Sequence, residues 1–237
     1  DLGGFHVVCL DDQPVKIGKG GNATGLTDKD FQWLKNDLSH IPYNTQLIVC
    51  AHSTMFMAST GHDMSKDSGV LNSSGYSELL SKYAKVYHFA GHSHSMFNYV
   101  YPEDSEYRNI EVHVVPRCTG ILNLNEYIAD GGSPRGFVIC EIDGERITWK
   151  YHVTPYLTGE NMASVPPNYD CRPWTYNGGV AYIGSSVLND SHQIHAYDGG
   201  VYPDGCVYAN VYMWDELWGK VYLKVNGGGQ YEMQRVP

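Results

Sequence analysis

The sequence predicts an α/β domain followed by a small all-β domain, and three features carry that expectation. Short apolar, β-branched runs alternate with helical periodicities up to about Ala90. From Met96 onward closely spaced strand-like runs replace the helical pattern. A proline-rich stretch at 155–175 then separates them from further strand-like runs with no helical period. The expected division is 1–154 for the first domain, 155–175 for the linker and 176–237 for the C-terminal β-domain.

Phe5-His6-Val7-Val8-Cys9-Leu10 is a short apolar run and reads as a buried strand. After a glycine-rich loop, Thr27 is a good N-cap, and Thr27-x-x-Asp30 resembles a capping box with a shorter acid. Phe31, Leu34 and Leu38 then repeat at helical spacing with Trp33 beside them, which predicts one buried face. His40-Ile41-Pro42 ends that helix. Gln46 to Ala51 is the next strand. Tyr76, Leu79, Leu80 and Tyr83 mark a second helix, and Lys85 to Ala90 a third strand. Strands separated by helices pair in parallel with right-handed crossovers.

The runs 96–101, 110–115, 136–142 and 146–152 predict an antiparallel meander that completes the first domain. Residues 155–175 hold Pro155, Pro166, Pro167 and Pro173 and no periodicity, hence a linker. The runs 179–185, 192–197, 206–213, 218–225 and 230–235 predict a small β-sandwich, with Gly227-Gly228-Gly229 as a hairpin turn.

Composition narrows the function classes. Apolar residues form 42% of the 237, enough for a real core. Acidic residues outnumber basic ones 26 to 16, for a net charge of −10, which disfavours a Lys/Arg-lined nucleic-acid groove. No apolar run reaches the ~18 residues of a membrane span, and no secretory signal is visible. The chain opens Asp1-Leu2-Gly3-Gly4 without Met, so it is expected to be a processed product or a fragment. Abundant Tyr and few Lys fit an extracytoplasmic protein, periplasmic or secreted. The cysteines form no C-x-x-C pair. Cys9, Cys50 and Cys140 lie in apolar runs and read as buried thiols, whereas Cys118, Cys171 and Cys206 lie in or near loops and are free to pair on export.

The chemistry concentrates at Gly91-His92-Ser93-His94, directly after the third strand. His52 follows the second strand just as closely. In a parallel sheet, ligands bind at the carboxyl ends of the strands, so three imidazoles are expected at one crevice. Clustered imidazoles suit Zn, Fe, Mn or Ni. Gly-His-x-His recurs by chance, so the weight rests on the shared sheet edge rather than on the motif. His6, His88 and His113 fall inside strands and are expected to be hydrogen-bonded there; His152, His192 and His195 fall late and away from the crevice. Asp11 and Asp12 end a strand at the functional edge and read as turn residues. The C-terminal aromatics Trp174, Tyr182, Tyr197, Tyr208, Tyr212, Trp214, Trp218 and Tyr222 alternate along strands, as core or interdomain packing would.

Taken in order, Phe5–Leu10, Asp11-Asp12, Gln32-Trp33-Leu34, Asp37-Leu38, the strand ending in His52 and Phe89-Ala90-Gly91-His92-Ser93-His94 resemble the second half of calcineurin-like phosphoesterases. Gly136-Phe137-Val138, Trp149-Lys150-Tyr151 and Ala209 to Asp215 with Met233 resemble a subfamily that appends its own β-domain. The resemblance implies the C-terminal half of a metallophosphoesterase α/β sandwich and a phosphatase or phosphodiesterase activity. It implies two divalent cations (Zn, Fe or Mn) about 3.5–4 Å apart, clamping the phosphoryl oxygens. Carried across, His52 and His92 hold one metal and His94 the other.

His62, in the polar loop after His52, is a candidate for lining the substrate crevice, and Asn72 and Arg117 are candidate phosphate contacts. The family's Asp-x-His, Gly-Asp and Gly-Asn-His motifs precede the strand matching Phe5–Leu10 and are absent here. Gly20-Gly21-Asn22-Ala23 does not replace them, because it follows that strand and has Ala where His belongs. No catalytic residue is therefore assigned. The expectation is weak or no metal binding and no activity in this chain alone, with the N-terminal half of the domain as its missing partner. The substrate would be a phosphoester small molecule or a phosphorylated macromolecule. The alternative is a carbohydrate- or protein-binding surface module with a vestigial His cluster.

Overall fold

The computed structural model describes residues 3–12, 26–55, 75–91, 97–115, 136–153, 171–178, 180–183, 186–187, 202–211 and 220–234. These residues are strand-rich, with one mixed sheet and few helices.

The first part follows the alternation in the sequence. Strand β1 (Phe5–Cys9) is followed by helix α1 (Asp28–Leu38), β2 (Gln46–Cys50), the short helix α2 (Tyr76–Leu80) and β3 (Lys85–Ala90). Thr27 caps α1, its hydroxyl oxygen accepting the Asp30 N–H at 3.2 Å, and its hydroxyl also contacts the Asp30 carboxylate. Asp28 and Asp30 place negative charge in the first turn, where the helix dipole favours it. Leu34 and Leu38 are fully buried, each worth about 1.5–3 kcal/mol of transfer free energy. Trp33 departs from expectation at 51% exposed: it lies about 100° round the helix from Leu34, outside the buried stripe. Tyr83, just past α2, is buried and donates its hydroxyl to the Leu38 carbonyl at 2.5 Å, pinning the end of α1.

β4 (Phe97–Val100) and β5 (Ile110–Val114) complete the sheet in the order β1-β2-β3-β5-β4. β1, β2, β3 and β5 run parallel, and β4 is antiparallel to β5. This corrects the expected meander. β5 inserts beside β3, and β6 (Gly136–Asp143) and β7 (Arg146–Val153) leave the sheet to form a two-stranded hairpin of their own.

The two faces of the sheet are covered differently. Leu47, Val49, Val86, Ile110, Val112 and Val114 pack with Leu34, Leu38, Tyr76 and Leu80 on the helix side. Phe5 and Ile48 pack with Ile147, Trp149 and Tyr151 of the hairpin on the other, with Tyr87 and Phe89 half-buried among them. Trp149 makes edge contacts to Tyr87 and Phe89 at ring separations of 5.8 and 5.9 Å. A crevice of about 440 Å³ remains between hairpin and sheet, lined by Val7, Ile48, Cys50, Phe89, Val138 and Cys140 among others. The cysteine reading is corrected here: Cys9 and Cys140 are exposed and Cys50 half-buried, because the hairpin covers this face only in part.

β8 (Cys171–Asn177) begins inside the stretch expected as linker. With β9 (Val180–Ile183), β10 (Ser186–Val187) and β11 (Cys206–Val211) it forms an antiparallel sheet in the order β10-β9-β8-β11. β12 (Tyr222–Lys224) and β13 (Gln230–Glu232) make a hairpin whose turn uses Gly227 at φ 75°, the turn expected from the triple glycine. Tyr222 is 49% exposed, so packing does not account for it within the described residues. The run at 192–197 and the linker up to 170 lie outside the described residues. No helix among the described residues is long and apolar enough to cross a membrane.

Candidate functional site

The carboxyl ends of β1, β2 and β3 meet at one edge of the sheet, and the parallel ladder continues past the strands themselves. Leu10 N–H donates to Cys50 O at 2.9 Å, Ala51 N–H to Phe89 O at 3.0 Å and Gly91 N–H to His52 O at 3.0 Å. His52 and Gly91 are thus hydrogen-bonded neighbours at this edge. His52 is exposed at this edge. A glycine is not required at position 91. Its φ is not in the left-handed region, and an added Cβ would meet only His52 O and Val115 O, both at 3.8 Å.

Asp12 does more than make a turn. Its carboxylate is 1% exposed and accepts the backbone N–H of His52 at 3.1 Å and of Ser53 at 2.5 Å. Burial alone would raise its pKa, but hydrogen bonds from Ser53 and His52 outweigh that and hold it below the ordinary carboxylate value. The charge therefore clamps the turn carrying His52. An acid directly after a buried strand at the carboxyl edge was the available signal. Asp is so common in turns that the sequence pattern favoured the blander reading.

Below this edge, on the helix side, His88 is fully buried and its Nε2 lies 3.1 Å from the Tyr76 hydroxyl. Its Nδ1 has no hydrogen-bond partner among the described residues. Burial pushes the His88 pKa down to about 4, with the Asp12 charge opposing, so the imidazole is neutral at neutral pH. Burial also raises the Tyr76 pKa, with a smaller contribution from Asp12.

The other strand histidines are bonded as expected. His6 pairs with Asp37 at 2.7 Å, and His113 Nδ1 lies 2.8 Å from Asn98 Oδ1. Glu111 is buried between Lys85 at 3.0 Å and His113 at 3.3 Å. Burial would raise the Glu111 pKa, but His113 and Lys85 hold it below the ordinary value. This cluster includes Lys85 at the start of β3, away from the carboxyl edge, and is structural. His152 sits on the outer face of the hairpin, stacked on Phe137 at 5.4 Å.

Of the residues singled out in the sequence, the described structure brings His52 to the edge. His92, His94, His62, Asn72 and Arg117 lie outside the described residues, as do His192 and His195. Among the described residues no group of three His, Cys, Asp or Glu side chains could hold a metal ion. For a divalent cation at this edge the described part offers one imidazole donor, His52. The nearby Asp12 carboxylate is already engaged with two backbone N–H groups. The fit is that of one ligand and its support.

Against known families, residues 123–237 match the family model described as the C terminal of calcineurin-like phosphoesterase. No curated protein matches the chain.

Proposed function

We propose that this chain, whose residues 123–237 match the family model for the C terminal of calcineurin-like phosphoesterase, is part of a metal-dependent phosphoester hydrolase, a phosphatase or phosphodiesterase. The first domain is then the C-terminal half of the catalytic α/β sandwich, and 176–237 its appended β-domain. The observation carrying this reading is the 3.0 Å hydrogen bond from Gly91 N–H to the His52 carbonyl. It makes Gly91, the residue that precedes His92-Ser93-His94 in the sequence, a neighbour of His52 at the edge where parallel sheets bind ligands.

In this reading His52 and His92 hold one divalent cation and His94 a second, with Zn, Fe or Mn suited to imidazole donors. When bound, such cations supply Lewis-acid stabilisation of the phosphoryl oxygens. Asp12 fixes the backbone of the His52 turn through its two hydrogen bonds, so the imidazole starts from a set position. His62, Asn72 and Arg117 contact the substrate, a phosphoester small molecule or a phosphorylated macromolecule. The remaining metal donors come from an N-terminal half-domain outside these residues. On its own the chain holds metal weakly and is inactive, and the whole protein works outside the cytoplasm.

The test compares a longer form carrying the upstream segment with its His52→Ala/His92→Ala/His94→Ala variant. Metal content and hydrolysis of p-nitrophenyl phosphate and bis(p-nitrophenyl) phosphate are measured with Zn, Fe and Mn. The expected result is bound metal and turnover in the longer form, with turnover reduced at least about 100-fold in the variant. A longer form that binds metal yet hydrolyses neither ester, or a variant that keeps full activity, sinks the reading.

A further inference from the structure

Three cysteines gather on the hairpin side of the sheet, and the proposed hydrolase chemistry uses none of them. Cys9 and Cys50 are register partners in the parallel β1–β2 pair, so their side chains leave the same face. Neighbouring strands lie about 4.7–4.9 Å apart. That separation falls within the ~4.4–6.8 Å between Cα atoms that a disulfide bridges. Cys9 is exposed, Cys50 is half-buried, and Cys50 lines the open crevice under the hairpin together with Cys140.

We propose that Cys9 and Cys50 form a reversible dithiol–disulfide pair that reacts with low-molecular-weight disulfides such as oxidised glutathione. Cys9, the more exposed thiol, loses its proton and attacks one sulfur of the reagent. This forms a mixed disulfide and expels one reagent thiolate, which takes up a proton. Cys50 then attacks the Cys9 sulfur, expelling the second reagent thiol and leaving a Cys9–Cys50 bond. Two protein thiols are oxidised and one reagent disulfide is reduced to two thiols, so atoms and electrons balance.

Parallel, in-register neighbours hold their Cα–Cβ bonds side by side rather than turned toward each other. The bond therefore forms with strain and is easily reduced again. Cys140 is the weaker partner. It projects from the opposite layer; the residue is exposed overall, but it lines the apolar crevice, where desolvation, with Cys50 adding to it, pushes its thiol up to about 11. The link would join β1 to β2 just before Asp12 and His52, coupling the redox state to the freedom of that edge. This inference stands without the hydrolase reading, because it requires only the register of two strands.

The experiment treats the reduced full chain with excess oxidised glutathione, followed by intact mass measurement and peptide mapping without reductant. The expected result is loss of two hydrogens, a Cys9–Cys50 link in the map, and full reversal by dithiothreitol. Cys140→Ser should form the same link at an unchanged rate, whereas Cys9→Ser should lose it. A stable glutathione adduct on Cys9 with no internal link would overturn the proposal. So would a map that places the link between Cys50 and Cys140. Both variants should keep the parent's cooperative melting, which separates a chemical result from misfolding.

Discussion

The two faces of the five-stranded sheet have similar apolar side chains but different degrees of closure. On the helix side Leu34, Leu38, Leu47, Val49, Val86 and Ile110 are buried completely. On the hairpin side Phe5, Ile48 and Trp149 are buried as well, yet Val7 on the same strand as Phe5 is 36% exposed. Among the described residues only a two-stranded hairpin lies over this face, too narrow to roof five strands, so covering stops partway and leaves the crevice. The difference teaches where stability and reactivity are divided. The closed face carries folding free energy and forces His88 to stay neutral. The half-open face leaves Cys9 and Cys50 within reach of solvent species.

The largest test is a pair of truncations, one on each face. Leu38→Ala removes a fully enclosed side chain and should cost about 3 kcal/mol, transfer and cavity terms together. Val7→Ala trims a side chain already wet and should cost less than about 1 kcal/mol. Urea unfolding of both variants checks this, and equal losses would mean the faces are closed alike.

A comparable effect appears with acid. The folded pKa of His88, about 4, lies below the ordinary 6.5. Between those values the unfolded chain binds a proton that the folded chain refuses, so stability falls as pH drops through the window. The full loss is about 3 kcal/mol, at 1.36 kcal/mol per pKa unit. His88→Gln keeps a polar group near the Tyr76 hydroxyl but cannot ionise, so its stability should depend less on pH between about 6.5 and 4. An unchanged acid limb would show that water reaches the helix face.

Much of the closed face was legible in the sequence because its code is local. The 3.6-residue period of Phe31, Leu34 and Leu38 and the β-branched runs need only near neighbours to be read. Strand order is not local. Nothing in Ile110-Glu111-Val112-His113-Val114 announces that β5 pairs with β3, and its Glu and His suggest a half-exposed strand. It is buried throughout, because Lys85 and Asn98 from adjacent strands partner those groups. The hairpin misled differently. β6 has apolar residues on both sides, Phe137 and Ile139 outward and Val138 and Ile142 inward, so alternation could not say which side met the sheet. At the site, His52 was readable from its position after a strand. The Asp12 clamp required knowing that β1 and β2 are neighbours.

The next effect belongs to the edge where the two faces meet. Asp12→Asn retains a carbonyl oxygen for one of the two N–H groups but removes the charge and leaves the other donor short. A loss of about 1–2 kcal/mol is expected, and Asp12→Ala should lose more. Because the folded pKa of Asp12 is depressed, its stabilisation is present above the ordinary carboxylate pKa and disappears as pH falls through the lower folded value. Asp12→Asn should therefore narrow its gap to the parent at low pH. A gap that stays constant would show that the carboxylate acts by shape rather than by charge.

The smallest effect tests the outer surface of the hairpin. Ile139 is 45% exposed and pairs across the strand with Lys150, pointing away from the sheet that Val138 and Ile142 contact. Ile139→Thr keeps the β-branch and the strand preference while removing apolar surface that is largely wet. It should change stability by less than about 0.5 kcal/mol, as surface substitutions away from caps and buried groups do. If it instead costs as much as Leu38→Ala, the outer side of β6 is a packed surface in the folded chain. The hairpin would then be a middle layer rather than a cover, and the half-open face would be closed by something lying beyond it.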